Sequence, residues 1–379
     1  MKDLNVTIEA REVRASDKIV VVTGGSGFIG GACVKLLNDD PSVAEIRILD
    51  VSFPDYELSS KMRFLRCDVN DLSALLKYSV DADEWIDNVG MLGTGDKHEL
   101  GAYPVATLQT NVAGFVNQLE AAYINRVPKF FHQSKNRFDE RDGTPFGLSE
   151  NWYTATKSMA EIAAFWARKS RGQQITVVRY LNASGHRQHL GFVRKLFPLA
   201  VVSAILDIDF TVYGDGQQLA DFIHVEDLAS AALTFMRSDN KDAPVRMLDI
   251  GTGQAISVID LVTKIKAAVG SSSHVQHLPM RHGEKPNTRI TAASEDIEEA
   301  RSYGWECKFT EDDVIRDYVD YYLTGEIDYT YVFNTLVYFQ DTYNRFQSHG
   351  RPIDIRTLGV AGIRKLFAEK RANYIKDAE

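Results

Sequence analysis

"KIVVVTGGSGFIGGACVKLLN", residues 18–38, sets a run of β-branched residues against a cluster of glycines and then turns into an amphipathic helical pattern. Gly24, Gly27 and Gly30 are spaced GxxGxxG on the turn from strand to helix. Without side chains there, backbone amides approach a pyrophosphate closely, and the helix N-terminus favours its charge. The strand before and the helix after are the context that a bare glycine pattern lacks. The second strand-like run, "EIRILD" from residue 45, ends at Asp50. A carboxylate at that point accepts hydrogen bonds from both ribose hydroxyls of an adenosine and repels a 2′-phosphate, which favours NAD over NADP. A strand-end Asp capping the next turn is the alternative reading of Asp50 taken alone.

Outward from this turn, strand-like runs alternate with helical patterns. "MRFLRCD" from 62, "EWIDNV" from 84, "KFFHQS" from 129 and "ITVVRYLN" from 175 are separated by segments such as "TNVAGFVNQLEAAYIN" and "YTATKSMAEIAAFWARKS". The spacing predicts βαβ units: a doubly wound parallel sheet with helices on both faces. After residue 182 the rhythm loosens. "TVYGDG" and "RMLDIGTG" read as short strands, "HVEDLASAALTFMRS" and "SVIDLVTKIKAAVG" as helices, and "GSSSHVQ" as a loop. The expected organisation is a flexible lead over 1–17 and a dinucleotide-binding domain over 18–183, with about 220–252 returning to it. A smaller α/β substrate lobe, mainly 184–324, and a helical extension over 325–379 complete it. In the extension, Val332, Leu336, Phe339, Tyr343 and Phe346 recur at helical spacing, predicting one apolar face packed on the body or on another subunit, with a substrate lid as the lesser reading.

With 379 residues the chain exceeds what a single core usually serves. Its formal charge of −9 supplies no global positive field for nucleic acid. Cys33, Cys67 and Cys307 form neither a disulfide framework nor a CxxC signature, which suits a reducing compartment. The first 17 residues lack an apolar segment of the secretory kind, and "LFPLAVVSAIL" is too short to span a bilayer. A cytoplasmic protein is expected. No metal set is read: His274, His277 and His282 have no ligand-pair spacing on one element.

A second signature is "NWYTATKSMAE", where Tyr153 and Lys157 lie four apart and share a helix face. An ammonium close to a tyrosine hydroxyl lowers its pKa, and the tyrosinate takes or gives the proton that accompanies hydride transfer.

From about Lys18 to Leu323 the chain resembles the extended short-chain dehydrogenase/reductases, specifically the NAD-dependent epimerase/dehydratase group acting on nucleotide sugars. The resemblance rests on "TGGSGFIG", "ILD", "CDVND", "NVAGFVNQLEAA", "FFHQS", "YTATK", "RYLNASGHRQ", "VYGDGQQLADFIHVEDLA" and "RHGEKPN". It implies a Rossmann-type fold, NAD as cofactor, a nucleotide-diphosphate sugar as substrate and a homodimer paired through two helices of the cofactor domain. It places Gly24, Gly27, Phe28, Ile29 and Gly30 at the pyrophosphate, Asp50 at the ribose, and Asp68 and Val69 beside adenine. Val89 and Lys157 fall among the cofactor residues, as does Asn111 where a helix opens after strand four. Tyr180, Leu181 and Ala183 fall near the nicotinamide. Asn182 and Arg281 fall at the substrate's phosphates, an arginine being suited to such a clamp. Catalysis falls to Tyr153, Lys157 and Ser134, the last as the hydroxyl that bonds the substrate's reacting oxygen.

The chain departs from the family pattern in three places. Lys135 and Asn136 follow Ser134, where the dehydratase branch carries an Asp-Glu pair for elimination. Lys135 either alters the electrostatics around the sugar or is a solvated loop lysine. "DNVG" replaces "HLAA" after strand four, making Asp87 either polar equipment or a turn residue. Ala220 stands where an arginine contacting phosphate is frequent. His132 shares a strand face with Ser134 and reads as a hydrogen-bonded strand histidine before a catalytic base. These residues favour an epimerase that transiently oxidises a sugar hydroxyl, most often C4. A dehydratase or keto-sugar reductase of the same family is the alternative, and a non-catalytic dinucleotide-sensing or scaffold protein a third.

Overall fold

In a computed structural model of the chain, the alternating runs form a seven-stranded sheet in which every neighbouring pair is parallel. The structure describes residues 14–92, 103–135, 152–191, 195–238, 246–280, 289–343 and 346–378. The strands are β1 (Lys18–Thr23), β2 (Val43–Asp50), β3 (Met62–Arg66), β4 (Glu84–Asp87), β5 (Lys129–Lys135) and β6 (Ile175–Tyr180). Outside this sheet lie β7 (Asn182–Ser184), β8 (Phe210–Tyr213) and β9 (Leu219–His224), and β10 (Arg246–Ile250) completes it. The order β10-β6-β5-β4-β1-β2-β3 changes direction between β1 and β4. Ligands of such sheets bind at that switch, beyond the carboxyl ends of the strands.

The strands are β-branched and apolar because both faces are covered. Val20, Val21 and Val22 are fully buried, as are Ile46 and Ile48. The connecting helices are α1 (Phe28–Asp39), α2 (Leu72–Tyr78), the pair α3 (Pro104–Leu108) and α4 (Gly114–Ile124), and α5 (Trp152–Arg171). A single π turn, Gln109–Ala113, joins α3 to α4. On one side Trp85, Phe115, Leu119, Phe130, Ala160 and Val177 share a core cluster. Asp71 caps α2 by accepting from Ala74 N–H, the local reason this helix starts where it does.

The chain separates into two compact units, Met1–Ala183 with Val225–Ile250 and Ala292–Glu306, and Ser184–His224 with Gly251–Thr291 and Cys307–Glu379. Helix α6 (Leu196–Ile205) belongs to the second unit and α7 (Val225–Arg237) to the first. They are followed by α8 (Val258–Val269), α9 (Ser294–Ser302), α10 (Glu311–Thr324), α11 (Tyr329–Tyr343) and α12 (Ile355–Ala378). Val275 and Gln276, read as loop, begin a strand (Val275–Leu278) that pairs in parallel with β8, since backbone pairing overrides a weak local signal. Val332, Leu336 and Phe339 of α11 are buried in the second unit's core with Ile355, Ile363 and Phe367. The helix ends at Tyr343, so Phe346 lies beyond the stripe predicted to hold it and packs on the core from the following segment. No described helix is long and apolar enough to cross a membrane.

Candidate active site

The glycine turn has the shape its spacing requires. Gly24 has φ +70°, and a Cβ there would lie 2.9 Å from the Asn88 carbonyl carbon. A Cβ on Gly30 would lie 2.1 Å from the Gly24 carbonyl oxygen, so the helix can approach the strand end only without it. Gly27 is the N-cap of α1 and offers no side-chain cap. The first intrahelical bond runs from Gly31 N–H to Gly27 O at 2.9 Å. The N–H groups of Phe28, Ile29 and Gly30 therefore precede it, the arrangement an anion uses.

Asp50 closes the turn: its Oδ2 accepts from Ser26 N–H at 3.1 Å and its Oδ1 from Ser52 N–H at 3.2 Å. Each carboxylate oxygen has two lone pairs, so the capping role leaves acceptor capacity for ribose hydroxyls. The turn and the carboxylate together fit a dinucleotide. Asp68 binds the backbone and side chain of Asn70, both at 2.9 Å, while Val69 is buried and its O accepts from Asn117 Nδ2 at 3.1 Å.

Asn111 corrects one expectation: it does not open a helix but sits inside the π turn between α3 and α4, a distortion frequent at functional sites. Its Oδ1 accepts from Met91 N–H at 2.7 Å, and its Nδ2 donates to Met91 O and to Thr156 Oγ1, both at 3.0 Å. It thereby ties the loop after β4 to helix α5. That loop carries Val89 and Gly90, and a Cβ on Gly90 would lie 3.5 Å from Lys157 Nζ and 4.0 Å from the Tyr153 ring.

Helix α5 presents Tyr153, Lys157 and Glu161 at i, i+4 and i+8, one face. Lys157 is buried, and its Nζ donates to Val89 O at 3.1 Å and to Gln133 O at 2.8 Å. Burial holds its pKa below the usual lysine value, against the attraction of Asp87 and Glu161. Tyr153 departs from the expected lowering: burial pushes its phenol up to about 12. Removal from water disfavours the charged phenolate, and that is the cause of the rise.

Ser134 has a partner within the protein. Its hydroxyl donates to Glu161 Oε1 at 2.5 Å, so its proton is committed to the protein. Glu161 in turn accepts from Arg179 Nε at 2.9 Å and from its Nη2 at 2.8 Å. The register of β5 against β6 sets Ser134 opposite Arg179. Sequence reading missed Glu161 and Arg179; the four-residue step from Lys157 to Glu161 was the available signal.

The same register logic sets Asp87 of β4 opposite His132 of β5. The two are fully buried and joined by Nδ1 to Oδ2 at 2.7 Å. Asp87 lies below the usual carboxylate range because hydrogen bonding to His132 and the charge of Lys157 outweigh the cost of burial. His132 is also lowered, by burial first and then by Lys157, so the pair is a carboxylate receiving a neutral imidazole's N–H. Its Nε2 has no hydrogen-bond partner among the described residues.

Lys135 is no solvated loop residue. Its Nζ bonds Thr154 Oγ1 at 2.6 Å and lies 5.9 Å from the Tyr153 ring centroid.

Tyr180 ends β6, Leu181 links it to β7, and Ala183 lies within β7. The Tyr180 hydroxyl is committed to Leu228 O at 3.1 Å, and Leu181 N–H donates to Ile250 O at 3.1 Å. Asn182 is half-buried at the start of β7. Arg281, Asn136 and His282 lie outside the described residues.

Residues 20–251 match the model of the NAD dependent epimerase/dehydratase family. The low-salt glycan biosynthesis protein Agl12 of Haloferax volcanii is 29% identical over 321 residues, 80% of this chain and 98% of that protein. The bifunctional UDP-glucose 4-epimerase and UDP-xylose 4-epimerase 3 of Arabidopsis thaliana is 28% identical, covering 79% of this chain and 93% of its own. The crystal structure of UDP-glucose 4-epimerase with UDP-glucose from Thermotoga maritima superposes with a TM-score of 0.68 at 21% identity, over 80% of this chain and 98% of that one, which establishes the shared fold. A Rossmann-type sheet, a glycine turn that fits a dinucleotide and a family match over more than half its length identify the chain as an enzyme of the NAD-dependent epimerase/dehydratase family.

Proposed function

We propose that this enzyme epimerises a sugar carried on a nucleoside diphosphate, oxidising one hydroxyl, at C4, and reversing the oxidation on the other face. The observation that carries the reading is Lys135, an ammonium at the position after Ser134, bonded to Thr154 and 5.9 Å from the Tyr153 ring centroid. Elimination needs an acid and a base beside the sugar. The described carboxylates around Lys157 are otherwise engaged, Asp87 by His132 and Glu161 by Arg179 and Ser134. Relatives named as UDP-glucose 4-epimerases support the same reading.

When bound, NAD supplies the hydride acceptor and donor. Tyr153 accepts the sugar hydroxyl's proton and later returns one. Burial works against the phenolate and holds the phenol at about 12, while Lys157 and Lys135 are the neighbouring cations that favour it. Two carbonyls hold Lys157 Nζ, which leaves its third N–H for the ribose or the phenolate. Ser134, whose O–H rests on Glu161 Oε1, serves the reacting oxygen by turning that O–H to it while the hydroxyl's own proton passes to Tyr153. Asn182 and Arg281 are assigned to the substrate's phosphates.

Incubation with UDP-glucose and a panel of other nucleotide sugars in deuterated water tests the proposal. The expected product is an epimer free of solvent deuterium, formed without added or accumulated NADH. A dehydrated keto-sugar carrying solvent deuterium would overturn it.

We further propose a homodimer through α4 and α5. Val116 and Ile124 on α4, and Ile162, Phe165 and Trp166 on α5, are exposed apolar residues on these helices. Light scattering of Trp166→Glu is expected to show a monomer where the parent chain is a dimer.

A further inference from the structure

Three residues far apart in sequence meet within the second unit. His186 follows β7, His224 ends β9 and Asp317 lies in α10. Asp317 Oδ2 lies 3.0 Å from His186 Nδ1 and 3.0 Å from His224 Nε2, and all three donor atoms fall within 4.8 Å of one another. His224 is buried, and Phe309 stacks on it with centroids 3.8 Å apart, which fixes the imidazole plane. His186 and Asp317 are about a quarter exposed, so one side of the cluster opens to solvent.

Hydrogen bonding alone accounts for part of this arrangement. Asp317 Oδ2 also accepts from His186 N–H at 2.5 Å, so three donors converge on one oxygen. Two imidazole nitrogens and a carboxylate oxygen on three separate segments are also the donor set of a divalent ion of the zinc class, with the fourth position left for water. Ligand atoms of a tetrahedral zinc site at about 2.0–2.1 Å from the metal stand about 3.3 Å apart. To admit an ion, the two contacts to Oδ2 open by about 0.3 Å and the two ring nitrogens, which lie within 4.8 Å of one another, come to the same spacing. The ring hydrogens now aimed at Oδ2 would move to the other ring nitrogens or leave to solvent as the metal enters.

We propose that His186 Nδ1, His224 Nε2 and Asp317 Oδ2 bind one zinc-class divalent ion, which pins the segment after β7 and the end of β9 to α10. The test of this site does not require activity.

The tag-free full-length chain, stripped with chelator, is titrated with Co2+ and then Zn2+. The expected result is one Co2+ per chain with the visible absorption of a tetrahedral ion, displacement by one equivalent of Zn2+, and a Zn2+-dependent rise in Tm. His186→Ala and Asp317→Asn are expected to weaken binding by about 100-fold or more. The Asn retains an acceptor for the histidines and so preserves the fold. His349→Ala is the control, because His349 lies against His274 in a different part of the unit, and it should bind like the parent. Binding well below one ion per chain, binding undiminished in both ligand variants, or binding lost in His349→Ala would each overturn the proposal and leave a hydrogen-bonded triad.

Discussion

The residues around Lys157 form two buried polar networks whose stakes differ. In the first, Glu161 serves Ser134 and both nitrogens of the Arg179 fork. Glu161→Ala removes the carboxylate that meets all three bonds, leaves the buried Ser134 hydroxyl without it, and leaves the Arg179 guanidinium with Asp249 at 3.6 Å. Breaking such a pair costs about 3–5 kcal/mol, which urea unfolding of the variant is expected to show. A loss below about 1 kcal/mol, the size of an exposed pair, would mean that solvent reaches Arg179.

In the second network, the lowered pKa of His132 makes stability pH-dependent. The unfolded chain takes up a proton at this position as pH falls through about 6.5, while the folded chain resists it. The contribution is therefore complete above that pH and lost progressively below it. His132→Gln is expected to flatten the fall in unfolding free energy between about pH 7 and 5. An unchanged slope in urea titrations at several pH values would show that His132 is charged in the fold.

At the scale of elements, the turn from β1 into α1 tolerates least. The Cβ of Gly30→Ala would sit 2.1 Å from the Gly24 carbonyl oxygen, a backbone atom that cannot swing aside. Either α1 withdraws and the N–H groups of Phe28 and Ile29 lose their alignment, or the unit unfolds. In both cases calorimetric binding of NAD is expected to fall below detection, and circular dichroism separates the two. Gly172→Ala is the useful contrast: among the described residues, chain neighbours aside, no atom lies within 4 Å of the added methyl group, and only its φ of +68° is strained. Much of this turn was legible in the sequence, because glycine spacing and β-branched runs are local properties of the chain. Asn111 was singled out by the family resemblance, but its place in a π turn was not legible, since one extra residue in a helix leaves no compositional mark. Lys135 was ambiguous for a similar reason: whether a strand-end lysine meets water or a neighbouring helix depends on where α5 passes.

On the scale of the molecule, the aromatic C-terminal segment belongs to the interior of the second unit. Leu336 is fully buried between α11 and α12, among Val332, Ile355, Ile363 and Phe367. Leu336→Ala is expected to cost about 2–5 kcal/mol, measured by thermal or urea unfolding. A change under about 0.5 kcal/mol, as at a surface site, would mean that α11 is not part of the core. The apolar period of "DYTYVFNTLVYFQDTYNRF" predicted a packed face, but its partners came from residues up to Phe367, beyond any window of local periodicity.

By itself the sequence determined the sheet, the dinucleotide turn, the Asp50 position and the shared face of Tyr153 and Lys157. Each follows from a spacing of two, three or four residues along one element, which backbone geometry converts directly into direction. Only the tertiary structure decided which groups pair. Asp87 meets His132, and Ser134 meets Glu161 beside Arg179, because strand register and the path of α5 bring them together. His186, His224 and Asp317 converge from three segments that share no local pattern. A charge's partner, and hence its pKa and its chemistry, is set by distance through space, and the chain encodes that distance only through the whole fold.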